Sequence, residues 1–434
     1  MIEIKRVDTP ALRRKFLELP RKLYQSNPMW VPMFERDAKK LAKGKGSLIF
    51  ENGPHELYLA LKDNQPAGRV AVGIEEVLNK RKEYQHAYFT LFESINDEAV
   101  AKALLDTCLE WASERGMVYL KGPISPTNGD DYRGLLVDGY DRPPAVLMPY
   151  HHEYYKRFFA GYDQYLEYWA YEHDLEIPAP EKSRQMMKKV AKNYGQYTDE
   201  QVKNMSENQL GDVICEEIFE KRGFSAEQVN LKTKKHTQQV IEDVYTIMNE
   251  SYPDIWEEDL VAPTKEEVKE MVKELKIVID PGMGIIAKKH GKPVGIILAV
   301  PDINVGIKRA KGKILPTGWY HILKSKKETK IARGVILFVI KEYQKQGIPA
   351  FLILKLRENL KRLGYKKMEL SSISAMNDTM NGVYQWFELK VIKHYRVFGR
   401  SVSGKALSLE EIYGHAADKV RSFREKHNKG MVAG

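Results

Sequence analysis

Two stretches of the chain alternate apolar and polar positions around a turn in the same way. In 56–74, ELYLALKDNQPAGRVAVGI, and again in 284–300, GIIAKKHGKPVGIILAV, two apolar runs flank a polar centre, which predicts a β-hairpin in each. Both carry Lys-x-x-x-Pro-x-Gly, as Lys62, Pro66 and Gly68 and as Lys289, Pro293 and Gly295. A second pair of matching stretches follows in the same order. RGMVYLKGPISPTN (115–128) and LGYKKMELSSISAMN (363–377) each start at a glycine able to end a helix, run through a short strand and close on Ile-Ser-x-x-Asn. Ahead of them, DEAVAKALLDTCLEWASERG and PAFLILKLRENLKRLG place apolar residues at i, i+3 and i+4, the spacing of an amphipathic helix. Each half therefore reads hairpin, strand, helix, strand, helix, and two matches in one order point to a duplication.

The expected fold is α/β with a mixed (α+β) sheet, built as two halves in tandem. The expected boundaries are 1–175 for the first half, 176–235 for a polar, Lys/Glu-rich helical linker, 236–405 for the second half and 406–434 for a helical tail. SRQMMKKVAKNYG and QLGDVICEEIFEKRG give the linker its helical character. The tail, SLEEIYGHAADKVRSFREKH, opens as a Ser-x-x-Glu capping box and is expected to dock back on the surface.

A chain of 434 residues is too long for one ordinary core, and 43% hydrophobic residues suffice for two. Cys108 and Cys215 are too few for a disulfide framework or a cysteine-rich metal site, which suits a reducing cytoplasm. No run approaches the roughly 18 apolar residues of a membrane helix, and MIEIKRVDTPALRRKF lacks the apolar core of a signal peptide. A soluble cytoplasmic protein with no membrane span is expected. The net charge of +10 is unevenly placed: 306–367 holds 17 Lys/Arg against Glu328, Glu342 and Glu358. Such a block suits nucleic acid, an acidic protein or a multiply phosphorylated cofactor, or else is a solvated helix face.

The halves differ between strand and helix, where chemistry would sit. The first has FESINDEAVA, whose Asp97 and Glu98 favour the helix dipole but repel a phosphate. The second has YQKQGIPA, with no acid between Gln344 and Ala350 and with Lys341 and Lys345 beside the turn. A glycine loop at a helix start presents backbone N–H groups to an anion. Pro349 removes one such donor, although proline suits the first turn of a helix.

Asn377 closes the next strand, and Tyr384 follows seven residues later on a helix. This order resembles the GNAT superfamily of N-acetyltransferases. There a strand leads into a Gln/Arg-x-x-Gly-x-Gly/Ala loop that holds the pyrophosphate of coenzyme A, and a tyrosine seven residues beyond a later Asn reaches the thioester sulfur. The matching positions are Val339, Gln344, Gly347, Asn377, Met380 and Tyr384, with Pro349 in place of the second small residue and Ala350 one place late. The stretches LYQSNPMWVPMFERD, LLVDGYDRPPAVLMPYHHEYY, VPDINVGIKRAKGKILPTGW and MELSSISAMNDTM are similar to a family of bacterial tandem GNAT-like proteins. That family is related to the N-acyl amino acid synthases, which use acyl carrier protein as donor.

The resemblance implies a degenerate first half, a cofactor-binding second half, and acyl transfer from acetyl-CoA, acyl-CoA or acyl carrier protein to a small-molecule amine. It makes Gln344, Lys345, Gln346, Gly347, Ile348 and Ala350 the candidate diphosphate cradle. Main-chain groups of Phe338, Val339 and Ile340 are candidates to pair with the pantetheine amide as an added strand would. Tyr384 is the candidate acid for the leaving thiolate, or a buried helix tyrosine beside Trp386 and Phe387. Asn377 either orients the pantetheine arm or simply ends a strand, and Glu369 is the candidate base. In MPYHHEYYKRFF (148–159), His151 and His152 are adjacent and cannot share a helix face as a metal pair at i, i+4 would. That stretch reads as an aromatic structural loop, with Tyr132, Tyr154 and Tyr155 as candidates to line an acceptor cleft between the halves. No other spacing suggests a metal. The alternative class is a non-catalytic module whose basic face holds nucleic acid or an acidic protein, with Trp319, Tyr320 and Tyr343 interleaved.

Overall fold

The computed structural model describes residues 1–125, 131–195, 197–251 and 262–431. In the first half, β1 (Ile2–Arg6), the hairpin β2 (His55–Lys62) and β3 (Gln65–Gly73), β4 (His86–Ser94) and β5 (Tyr119–Gly122) lie side by side. In the second, β8 (Phe224–Gln228), the hairpin β9 (Gly284–Lys289) and β10 (Lys292–Pro301), β11 (Ile331–Val339) and β12 (Lys367–Ser374) repeat that order as a mirror along the sheet. Both expected hairpins form around their Lys-x-x-x-Pro-x-Gly turns. β8 lies in the stretch expected to be a helical linker; its sequence, FSAEQ, has no apolar alternation to announce an edge strand.

The duplication extends to detail that the pattern of apolar residues does not carry. β4 pairs with β5 in parallel only from His86 to Tyr88, and β11 pairs with β12 in parallel only from Ile331 to Gly334. Beyond those residues the ladders stop and each pair splays. A bulge sits at the matching place in each half, opposite Arg69/Ala71 of β3 and opposite Leu298/Ala299 of β10. A bulge re-aims side chains and bends its strand, which opens the splay.

The halves also exchange their last strands. β13 (Lys390–Ser401) lies between β5 and β7 (Asp163–Asp174), and β7 in turn pairs with β12. The short β6 (Leu135–Asp138) pairs with β13 off the main path. One continuous mixed sheet therefore runs through both halves.

Helices cover both faces. The helix Glu98–Ser113 is capped by Asp97, whose carboxylate accepts from the N–H groups of Ala99 and Val100. It buries Val100, Leu104, Leu105 and Cys108 on the first half. The matching helix Ile348–Arg362 buries Phe351, Leu352, Leu356 and Leu360 on the second. Each such side chain contributes roughly 1.5–3 kcal/mol. On the opposite face Pro10–Leu23 packs on β3 and β4, while Lys234–Ser251 and Lys265–Val278 pack on β10. The tail begins with the expected capping box at Ser408 and Glu411, and Tyr413 donates to the Tyr165 carbonyl at 2.9 Å.

Candidate functional site

The second half keeps an opening. From 334 to 338, β11 is half-buried although it lies inside the sheet, because the ladder to β12 ends at Gly334 and Leu370. On its other side Phe338 still pairs with Ile296 and Val339 with Gly295. The chain then makes a 3-10 turn, Lys341–Tyr343, and the loop 344–347 delivers it into the helix Ile348–Arg362. Gly347 sits at φ +83°, and a Cβ there would meet Phe219 at 3.4 Å, so the backbone angle rather than space calls for glycine. Pro349 occupies the first turn, leaving the N–H groups of Ile348 and Ala350 to face the loop. Gln344 turns its amide back onto the Val339 carbonyl at 3.2 Å, and Gln346 donates to the Glu342 carbonyl at 3.1 Å. Lys345 is exposed beside them.

The segment between the halves covers the rest of this face. Ser183 of the helix Glu181–Gly195 donates to the Trp386 carbonyl at 2.5 Å. At the other end, Phe219 stacks on Phe351 at 4.5 Å, and Arg222 donates to the Gln346 carbonyl and side-chain oxygen at 3.4 Å each. The helices 348–362 and 378–386 are thus roofed, and the glycine loop is left at the edge of the roof.

Tyr384 lies under that roof on the helix Asp378–Trp386, 1% exposed, with its ring 4.9 Å from that of Tyr171. Burial pushes its phenol well above the ordinary value, so it stays protonated at any working pH. Asn377 caps the same helix by accepting from the Met380 N–H at 3.1 Å. Asn381, which the sequence did not single out, ties the end of β12 to this helix. It donates to the carbonyls of Ser374 and Ala375 at 3.0 Å and accepts from the Tyr171 hydroxyl at 3.0 Å.

A charged cluster sits at the vertex of the splay, on the opposite face of the sheet. Arg333 and Glu369 are paired neighbours on β11 and β12. Glu369 is held by Lys393 of β13 at 2.5 Å, and its Oε1 is buried without a hydrogen bond among the described residues. Arg333 donates to the Val146 carbonyl at 2.8 Å and lies 3.6 Å from Asp131, both of the first half. Asp302, just after β10, faces the same charges. Burial raises its carboxyl to about 6, with Glu369 raising it further and Lys393 and Arg333 opposing. Asp302 lies in the quoted VPDINVGIKRAKG stretch, but nothing in its neighbours there pointed to ionisation.

The first half has lost the matching opening. Phe92, Tyr155, Phe158 and Phe159 fill the splay of β4 and β5, and Phe159 stacks on Phe398 of β13 at 4.5 Å. On the other face it keeps a cavity of about 120 Å³. Phe16, Trp30, Leu41 and Met148 line its apolar walls, and Arg69, Glu93 and Tyr132 its polar end. Glu93 Oε2 accepts from Tyr24 at 2.9 Å and from Tyr155 at 2.7 Å, while Arg69 stands 3.9 Å from Oε1. Burial raises the Glu93 carboxyl, against the pull of Arg69. Tyr154 donates instead to the Ser94 carbonyl at 2.9 Å, so of the three tyrosines only Tyr132 and Tyr155 reach this cavity or its carboxylate.

The adjacent histidines diverge. His151 Nδ1 accepts from the Leu136 N–H at 3.1 Å, and burial lowers the ring to about 3, so it is neutral with its proton on Nε2. His152 instead faces the Leu23 carbonyl at 3.1 Å. Among the described residues no cluster of metal-ligating side chains forms, and no helix is long and apolar enough to cross a membrane. The basic block 306–367 is largely engaged with acids, through pairs such as Arg357–Glu207, Lys326–Asp280 at 2.8 Å and Lys366–Glu176 at 2.9 Å.

Residues 241–387 match the acetyltransferase (GNAT) family, so the second half holds a GNAT domain. A solved tandem GNAT protein from the clavulanic acid biosynthesis pathway superposes with a TM-score of 0.50 at 10% identity, covering 94% of this chain and 100% of that one. The fold is that of two GNAT-like halves in tandem. In sequence the chain is 26% identical over 409 residues to the bacterial ceramide synthase of Caulobacter vibrioides, covering 91% of this chain and 96% of the relative. It is 25% identical over 404 residues to the protein YghO of Escherichia coli, covering 90% and 93%.

Proposed function

We propose that this chain moves an acyl group from a thioester, carried by coenzyme A or by acyl carrier protein, to the nitrogen of an amine. The observation that carries the reading is the half-open strand 334–338 leading into the glycine loop 344–347, inside the stretch that matches the GNAT family. The loop and the N–H groups of Ile348 and Ala350 would hold a diphosphate, with Lys345 beside them. The strand 338–340 would take a pantetheine amide as an added strand takes its partner. The roof from Ser183 to Arg222 narrows the approach to the loop's own edge.

Acyl transfer has two electrostatic needs: a neutral amine, and stabilisation of the thiolate that leaves. Tyr384 meets the second. Its phenol is raised far above a thiol, whose ordinary value is about 8.5, so full proton transfer is uphill and its help is a hydrogen bond to the developing charge. The first need falls to the carboxylates at the vertex. Glu369 is tied to Lys393, whereas Asp302 is poised near about 6, where a carboxylate can take up a proton. The acceptor belongs in the first-half cavity, with its apolar part along Phe16, Trp30 and Leu41, a polar group toward Glu93, and its amine at the Tyr132 end, next to the Asp131 that pairs with Arg333 of the vertex. Since the Caulobacter relative is a ceramide synthase, a long-chain amine is the acceptor to try first.

Calorimetry with acetyl-CoA, long-chain acyl-CoA and acyl-loaded carrier protein tests the donor. Mass spectrometry of the products with a long-chain amine tests the transfer. Binding of at least one donor and a new N-acyl product are expected; binding of none, with no product, overturns the reading.

A further inference from the structure

Seven of the fourteen large hydrophobic residues exposed among the described residues fall between 305 and 331, so exposed apolar surface is concentrated in one small part of the chain. They are Val305, Ile314, Leu315, Trp319, Tyr320, Leu323 and Ile331, and Leu315, Tyr320 and Trp319 are 76%, 54% and 50% exposed. Five of them, from Ile314 to Leu323, lie within ten residues of the chain. On the helix Gly318–Glu328, Trp319 and Leu323 stand one turn apart with Tyr320 beside them, its ring 6.3 Å from that of Trp319. The loop before it is wrapped onto the helix: the Trp319 N–H donates to the Ile314 carbonyl at 2.8 Å, and its indole N–H donates to the Pro316 carbonyl at 3.0 Å. The helix is anchored from beneath, where Gly306 lets the helix Asn304–Arg309 approach; a Cβ there would meet the His321 carbonyl at 2.6 Å.

The segment itself is strongly basic, although Asp280 meets Lys326 at 2.8 Å and Glu35 lies 4.0 Å from Lys313. Between 305 and 331 there are Lys308, Arg309, Lys311, Lys313, Lys324, Lys326, Lys327 and Lys330, and the one acid is Glu328. A patch of apolar and aromatic side chains rimmed by lysines fits a plane of anionic headgroups over hydrocarbon, with Trp and Tyr at the boundary. We propose that 305–331 is a docking surface for an anionic lipid bilayer, on which Ile314, Leu315, Trp319, Tyr320 and Leu323 enter the interface while the lysines meet lipid phosphates. The same turn abuts the first-half cavity. Arg21, which lines the cavity, donates to the Lys311 carbonyl at 3.1 Å, and Gly312 lies against the Met33 backbone on the cavity wall. Docking would bring that cavity beside the membrane, from which an amphipathic amine would enter. This last clause rests on the proposed acceptor site; the docking itself does not.

The test is co-sedimentation of the full chain with phosphatidylglycerol-containing vesicles and with pure phosphatidylcholine vesicles. Three proteins are compared: the wild type, Leu315→Ser with Trp319→Ala, and Lys324→Glu with Lys327→Glu. The expected result is preferential binding to anionic vesicles that falls with salt and weakens at least tenfold in each double variant. Thermal melting should be unchanged, since these side chains are exposed. Acyl transfer to a detergent-dispersed amine should also be unchanged, so its failure would count against the enzyme reading and not against docking. Absent vesicle binding, binding indifferent to headgroup charge or to the substitutions, or a patch that instead governs self-association or binding of an acyl carrier protein would each overturn the proposal.

Discussion

Asp302→Asn should make the protein more stable and less active, and the two effects should share one pH dependence. The carboxyl stands at about 6 against an ordinary 3.8, because burial and Glu369 disfavour its charge more than the Asn304 N–H, Lys393 and Arg333 favour it. Ionising it in the folded state therefore costs up to ~3 kcal/mol, cut to ~1–2 kcal/mol by water reaching a half-buried group. The sign follows from linkage. The folded value lies above the unfolded one, so the penalty is absent below about 3.8 and grows as pH rises through about 6. Asparagine is neutral at every pH, and its side-chain oxygen can still accept from the Asn304 N–H, as Asp302 does at 3.0 Å. Urea unfolding should give equal midpoints for variant and wild type near pH 4, and a variant ahead by ~1–2 kcal/mol at pH 7.5. If Asp302 takes the amine proton, kcat/KM should drop by roughly 10²–10⁴ and lose its rising limb near pH 6. A variant no more stable at pH 7.5 than at pH 4 would refute the electrostatic reasoning. A limb near pH 6 that survives the substitution would assign the proton to another group.

Tyr384→Phe should lower kcat by roughly 10²–10³-fold, the range for one lost oxyanion-type donor, with donor affinity from calorimetry nearly unchanged. Lys393→Met leaves Glu369 buried without its partner and should cost about 3–5 kcal/mol in urea unfolding; adding Glu369→Gln should recover a large part, whereas no recovery would mean that the pair is not the cause. Glu93→Gln should weaken long-chain amine binding tenfold or more by calorimetry while leaving donor binding alone, and an unchanged amine affinity would move the acceptor out of the first-half cavity.

Local patterns in the sequence reached the hairpins, the long helices, the capping box at Ser408 and the duplication, because each depends on residues within about twenty positions of one another. The asymmetry between the halves was also legible, since acids at one helix start and lysines at the other are local facts. What escaped was everything assembled from afar. Arg333, Glu369, Lys393 and Asp302 occupy four separate strands or strand ends, and only the sheet brings them together. The exchange of β7 and β13 leaves no mark on alternation, because a strand in either half needs the same apolar faces. Asn377 teaches the converse point. Its spacing to Tyr384 fitted either a ligand contact or a plain strand end, and its side-chain oxygen caps the helix that carries Tyr384.

The strand exchange gives the first half a physical role that its filled splay does not suggest. Without β13 the first half would expose the edge of β5, and without β7 the second would expose the edge of β12. Neither half closes its own sheet. The first half also reaches into the vertex cluster: the Val146 carbonyl and Asp131 hold Arg333, and the Pro144 carbonyl accepts from Asn304 at 2.7 Å, two residues beyond Asp302. Removing those contacts would leave a buried guanidinium short of acceptors beside Glu369 and Asp302, which changes the very ionisation the vertex depends on. A half whose own splay is filled can therefore still set the charges at the vertex of the other half.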